Sequence, residues 1–214
     1  FGHAVRSKVI IDHLLKQRHK VFIITSHNTY EYYKKHYNNV HNIEGLELVF
    51  KKNSILNFKT LFKNLGKASK TTYDKLLKIK NEIEKFDPQI VISDMETFSS
   101  YFANEKNLPL IAIDNQHFLV YGDYNFPETY TFSRIKALLI IKGIVFKAKY
   151  YLTMCLPGSK LENRTNLFTI NSILRDEILT AKPKTLDYVF VYQSTKSYDK
   201  LIDLLKRINY KFII

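Results

Sequence analysis

With 214 residues, 45% of them hydrophobic and 14% aromatic, the chain has apolar surface for a sizeable core and length for one domain plus part of another. Six Gly and five Pro exclude collagen-like and low-complexity character, and a single cysteine, Cys155, excludes an intrachain disulfide and a cysteine zinc site and suits a reducing compartment. The 33 Lys and Arg against 20 Asp and Glu give a formal charge of +13, which favours anionic partners: nucleic acid, anionic lipid headgroups or phosphorylated substrates.

The chain opens FGHAVRS, a Gly-His turn without an initiator Met, followed by a helical pattern over 4–18 in which Ile10 with Leu14, and Ile11 with Leu15, share a side. A polar turn opening such a helix normally follows a strand, so a strand is expected ahead of Phe1. VFIIT (21–25), LELVF (46–50), QIVIS (89–93), LIAI (110–113) and YYLTM (150–154) read as strands. They are β-branched or aromatic with little period-two alternation, which suits strands covered on both faces. Residues 51–85 carry ten lysines against three acids, either a solvated face or a polyanion-binding one. Within them 73–86 places Leu76, Leu77, Ile79, Ile83 and Phe86 near one helix face, and Asp87-Pro88 stops that helix. A further helix carries Phe98, Tyr101 and Phe102.

SRIKALLIIKGIVFKAKYY holds five basic residues from Arg134 to Lys149 and no acid. It reads as a core helix with snorkelling lysines or as a basic amphipathic helix lying on a membrane surface. After SILRDEI, the stretch LTAKPKTLD reads as a linker. DYVFVYQ, SYDKLIDLLKRI and NYKFII then form a fresh strand–helix–strand unit that stops inside its second strand, so both ends read as cut. No apolar run is long enough to span a membrane. The pattern predicts an α/β fold: a Rossmann-like, mainly parallel sheet flanked by helices over 1–175, a linker over 176–185, and the first βαβ unit of a second Rossmann-like domain over 186–214.

Ligands of such sheets sit beyond the carboxyl ends of the strands, and three stretches there carry chemistry. His3 stands at a helix N-terminus, where the dipole disfavours its protonated form; a neutral imidazole can take a proton from an alcohol, although a surface or capping histidine has the same spacing. In ISDMETFSSYF, Asp94 follows its strand directly and could orient that imidazole. Alternatively Asp94 or Thr97 is the N-cap of the next helix, or Asp94 and Glu96 hold a divalent metal; only two hard ligands are evident, so no metal is assigned. In AIDNQHFLVYGDYNF, Asp114, Asn115, Gln116 and His117 precede Phe118, Tyr121, Tyr124 and Phe126. Planar polar groups beside rings suit a sugar, whose hydroxyls want hydrogen bonds and whose C–H face wants apolar contact. An aromatic loop packed on the core is the alternative.

FGHAVRS, FDPQIVISDMETFSSYFA, LPLIAIDNQHF, AKYYLTM, SILRDEILTAKP and DYVFVYQS together resemble the N-terminal half of a GT-B-fold glycosyltransferase over about residues 1–193. The relatives in view are bacterial and archaeal enzymes related to the UDP-glucuronosyltransferases and to the N-acetylglucosaminyltransferase that makes lipid II. The resemblance implies an acceptor-binding N-terminal domain and a donor-binding C-terminal one. It implies His3 as catalytic base with Asp94 as its partner, and Gly2, Asn115, Gln116, His117 and Phe118 on the acceptor. It places Gln193, Ser194 and Thr195 near the diphosphate of a nucleotide-sugar co-substrate, a UDP-sugar, with no other cofactor. The Gly-rich donor loop would lie beyond Ile214, so this stretch alone is expected to be inactive. Charge adds an anionic membrane surface as partner and a lipid-linked or cell-envelope acceptor, for a cytoplasmic enzyme peripheral at the inner face of the membrane. A nucleotide-sugar 2-epimerase would share the architecture. A nucleic-acid-binding module would explain the charge, but no recognisable motif interleaves basic residues with exposed aromatics, so nucleic acid is not expected as a partner.

Overall fold

A computed structural model describes residues 2–43, 50–51, 54–55, 70–192 and 200–214. The chain divides into two compact units: Phe1–Gly45 with Asp74–Asp176, and Leu46–Tyr73 with Glu177–Ile214. Much of the lysine-rich 51–85 stretch, LELVF up to Val49, and all of Gln193, Ser194 and Thr195 lie outside the described residues.

In the first unit α1 (Gly2–Lys16) leads into β1 (Ile23–Thr25), α2 (Asn28–Lys34) and β2 (Val40–Asn42). β1 and β2 pair in parallel, Ile23 opposite Val40. The second unit contributes the short antiparallel pair β3 (Phe50–Lys51) and β4 (Ser54–Ile55). Then come α3 (Lys70–Phe86), β5 (Val91–Ser93), α4 (Thr97–Glu105) and β6 (Leu110–Asp114). The chain continues through α5 (Phe118–Tyr121), β7 (Gly122–Asp123), a 3-10 turn (Glu128–Tyr130), α6 (Thr131–Ile144), β8 (Tyr150–Met154), β9 (Lys160–Leu161) and β10 (Leu167–Ile170). β5, β6, β8 and β10 form a parallel sheet in the order β10-β8-β6-β5. The molecule is therefore α/β with a mainly parallel sheet flanked by helices.

The apolar strands are buried because helices cover them. Leu110, Ala112 and Ile113 of β6 are buried. Ala103 of α4, Ala112, Ala148, Val145, Tyr151 and Leu167 make one core cluster, in which small side chains let helix and sheet approach closely. The face foreseen on α3 is narrower than expected: Ile79 and Ile83 pack with Phe102 and Ile43, whereas Leu77 is exposed. α3 ends at Asp87, whose φ of 54° takes the left-handed conformation ahead of Pro88. β2 and β10 are absent from the expected strands: β2 (Val-His-Asn) is short and polar, so no apolar run announces it, while β10 (Leu-Phe-Thr-Ile) is a run of only four residues between polar neighbours.

A cavity of about 1150 Å³ lies between β1 and β5. Its lining follows β1 from Val21 to Ser26 and β5 from Gln89 to Asp94, with Ile10, Ile11 and Leu14 of α1 as an apolar wall. Among the described residues β1 pairs only with β2, and β5 only with β6.

The second unit also holds α7 (Asp176–Leu179), which begins at the unit boundary, β11 (Val189–Phe190), α8 (Lys200–Leu205) and β12 (Phe212–Ile213). β11 and β12 pair in parallel, Val189 opposite Phe212, across the α8 connection.

Candidate functional site

α1 starts at Gly2, so His3 belongs to the first helical turn instead of a preceding loop. Helical spacing then puts His3, Arg6 and Ser7 on one face, at i, i+3 and i+4. That face meets Asp94, the first residue past β5. Met95 follows with a left-handed φ of 56°, and Glu96 then caps α4. The Glu96 carboxylate accepts the backbone N–H of Phe98 (2.8 Å) and of Ser99 (2.6 Å). The N-cap foreseen at Asp94 or Thr97 is thus Glu96, which leaves Asp94 free to face α1.

Four donors converge on Asp94. Its Oδ1 takes His3 Nδ1–H at 2.7 Å and Arg6 Nη2. Its Oδ2 takes Arg6 Nε at 2.8 Å and the Ser7 hydroxyl at 2.7 Å. Burial by itself pushes the Asp94 carboxyl upward, but the hydrogen bonds and charges of Arg6 and His3 outweigh it and hold the group below its ordinary value of 3.8. Asp94 is therefore an anion, and it sits where an imidazolium at His3 would be stabilised.

The end of β6 supplies the other wall. Arg6 Nη1 donates to Asn115 Oδ1 at 3.2 Å. Gln116 Oε1 accepts the Asn115 backbone N–H at 3.2 Å, which turns Gln116 Nε2 to within 3.3 Å of His3 Nε2. His3 Nδ1 also lies 2.9 Å from Arg6 Nη2, which can only donate; with Nδ1–H given to Asp94, the tautomer that suits both the Asp94 and the Gln116 contacts, His3 Nε2 carries the lone pair and accepts this amide proton. The His3 side chain is 52% exposed whereas Asp94 is 14%. An outward lone pair on a half-exposed imidazole, backed by a largely shielded carboxylate, is the equipment of a general base.

A family model described as glycosyl transferase family 1 matches residues 1–214. The chain belongs to glycosyl transferase family 1. No curated protein matches it. Membership establishes a GT-B glycosyltransferase, and with it sugar transfer as the kind of chemistry in question.

Within this glycosyltransferase the structure brings together His3, Asp94, Asn115 and Gln116, with Gly2 exposed beside them. It does not bring His117. That ring is 1% exposed, gives Nδ1–H to Asp114 Oδ2 at 2.7 Å, and packs against Tyr151 and Tyr121. Asp114 also accepts the His117 backbone N–H, so the pair fixes the turn that aims Asn115 and Gln116 outward. His117 is thus enclosed in the core, where it holds the turn that carries Asn115 and Gln116, and its ring is not open to a ligand there. Phe118 is half-buried and stacks on Tyr124 at 5.4 Å. Both carboxylates of the Asp94–Glu96 pair are engaged by protein donors, and among the described residues no group of three His, Cys, Asp or Glu is placed to hold a metal.

Arg6 and Ser7 are site residues that motif reading passed over. Their signal is helical: three and four positions after a base candidate, on the helix side that continues into Ile10, Ile11 and Leu14. Gln116 also yields an expectation. Its amide stands beside His3 Nε2, where it could hydrogen-bond an incoming acceptor hydroxyl; on that reading Gln116→Leu is expected to raise the acceptor KM about threefold to tenfold with little change in donor KM. Initial-rate kinetics with either substrate varied measures this.

Proposed function

We propose that this glycosyltransferase moves a sugar from a nucleotide-sugar donor, a UDP-sugar, to the hydroxyl of a lipid-linked or cell-envelope acceptor. His3 Nε2 takes the hydroxyl proton, the oxygen attacks the anomeric carbon, and the bond to the diphosphate breaks as nucleoside diphosphate leaves. Asp94 holds the imidazole in its Nδ1–H tautomer and balances the charge it gains. Asn115 and Gln116 receive the acceptor, and Gln193, Ser194 and Thr195 are assigned to the donor diphosphate. The observation that carries this reading is the 2.7 Å contact of His3 Nδ1 with Asp94, which turns Nε2 away from the carboxylate and toward Gln116, where an acceptor hydroxyl would take the place of the amide. The family membership supports the transferase class. The motifs GHAVRS and IDNQH support kinship with the UDP-glucuronosyltransferases and the lipid II enzyme, and with it a cytoplasmic enzyme peripheral to the membrane. Among the described residues no helix is long and apolar enough to cross one.

Nucleoside diphosphate release by the intact protein, followed with a panel of nucleotide sugars with and without acceptor, tests the reading. Release that depends on acceptor supports it; release without acceptor would point instead to a 2-epimerase of the same fold.

The slot between β1 and β5 supports the further reading that a strand leads into Gly2 and completes the sheet between them. Ile23 N–H is given to Asn39 and Val91 N–H to Pro109, so by alternation the amides of Ile24 and Ile92 face the slot. Hydrogen exchange at Ile24 and Ile92 is expected to slow at least about tenfold when residues upstream of Phe1 are present. Equal exchange with and without them would discard the strand.

A further inference from the structure

α6 is apolar on two sides. Ile141 and, just past the helix, Val145 are buried, and Val145 with Ile144 packs on the core cluster around Leu110 and Tyr151. The opposite side should be polar on a helix that only roofs a sheet. Instead Phe132 is 70% exposed and Leu139 68%, with Ile135 between them at helical spacing and Ile140 beside them, both exposed. Tyr130, at the entrance to the helix, is exposed as well.

The charges around this row have one sign. From Thr131 to Lys149 the sequence contains Arg134, Lys136, Lys142, Lys147 and Lys149 and no acid. Arg134 is turned inward, its guanidinium over the rings of Tyr124 and Phe126. Lys136 lies 4.3 Å above the Phe132 ring and Lys142 is exposed, so at 100° per residue these two flank the apolar row on either side. Lys147 and Lys149 are exposed where the chain leaves the helix for β8.

We propose that the outer face of α6 lies in the plane of an anionic membrane, with Phe132, Ile135 and Leu139 inserted at the headgroup–acyl boundary and Lys136 and Lys142 on the lipid phosphates. The charge pattern selects this occupant. An apolar row between lysines, without a single acid, complements a surface that is apolar within and anionic at its rim. Nucleic acid would need cations on the outermost line, which here is occupied by Phe and Leu. A second copy brings the same lysines and would set like charges against each other. The inference stands on the exposure and charge of one helix and does not depend on the reaction assigned to His3.

The test uses the full chain and extruded vesicles of phosphatidylcholine alone or with phosphatidylglycerol, by co-sedimentation at low and high salt. Binding is expected to be at least about tenfold stronger with phosphatidylglycerol and to weaken with salt. Leu139→Gln with Phe132→Ser is expected to weaken it about tenfold or more, and Lys136→Gln with Lys142→Gln by about twenty-five-fold, from about fivefold per lysine. All four side chains lie on the outer face of the helix, so far-UV circular dichroism is expected to stay unchanged. The chain contains no Trp, so Leu139→Trp introduces a single reporter whose emission shifts to the blue on anionic vesicles and is quenched by brominated lipid. Vesicle binding unaffected by these substitutions, absence of binding, an emission of the Leu139→Trp protein that vesicles leave unmoved, or a concentration-dependent dimer abolished by Leu139→Gln would each overturn the proposal.

Discussion

Replacing His3 with alanine is expected to lower the rate of sugar transfer by roughly 10²–10⁴-fold, the usual contribution of a positioned general base. The effect belongs in kcat, because the lost proton transfer occurs only in the transition state and the residues assigned to the donor lie elsewhere in the chain. His3 is half-exposed and its ring fills no core position, so the substitution leaves stability within about 0.5 kcal/mol. Three measurements separate a base from a merely structural residue: the donor KM stays constant, the urea midpoint stays constant, and added imidazole restores part of the rate. A His3→Ala enzyme that keeps a third or more of its activity would remove His3 from the mechanism.

The second large effect is on folding. Asp94→Ala strips Arg6 of its carboxylate while the guanidinium remains only 13% exposed, with only the neutral groups of Asn115 and the His3 ring beside it. Breaking one side of such a pair costs about 3 kcal/mol, far more than the intact pair is worth against well-packed apolar residues, because an uncompensated charge stays behind. Arg6→Ala in the same background should recover much of that loss, and the double-mutant cycle from urea unfolding reads the coupling directly. Additive single losses would mean that the two side chains do not work as a unit.

The same carboxylate gives a pH dependence of definite sign. Its folded-state value lies below the ordinary 3.8, so the stability it contributes is complete above about pH 4–5 and is lost as pH falls through the lower folded value. Wild-type protein is therefore expected to lose urea resistance below about pH 4 more steeply than Asp94→Asn, in which that titration is absent. Parallel acid profiles for the two proteins would contradict it. The loss would not come from Glu96, whose carboxyl burial pushes upward.

Much of this architecture was legible in composition and pattern. Apolar runs without alternation announced β1, β5, β6 and β8, because strands covered on both faces need apolar residues on both. The Asp87-Pro88 stop marked the end of α3, since proline restricts the residue before it. Strands rich in polar residues, such as β2 with Val40, His41 and Asn42, carry no such signal and were found only where they pair.

At the site, residue type suggested His3 and Asp94, far apart in the chain, from the chemistry their side chains can do and from their places at helix and strand ends. Whether they touch was a question of tertiary structure. It is answered by the packing of α1, through Ala4, Ile11 and Ile23, which brings the first turn of the helix over the end of β5. The role of Arg6 was hidden for the same reason: an arginine on a helix looks like a solvated charge until a carboxylate from another element is found against it.

His117 shows the converse. Asn115, Gln116 and His117 are consecutive polar residues with equal claims on a sugar, but the turn after β6 aims the first two outward while His117 enters the core with Asp114. On α6 the sequence by itself established the cations and the missing acids, which are properties of composition. Which apolar residues went inward was decided by the tertiary fold, because a helix can bury only one face against a sheet and Ile141 and Val145 occupied it, leaving Phe132 and Leu139 to solvent.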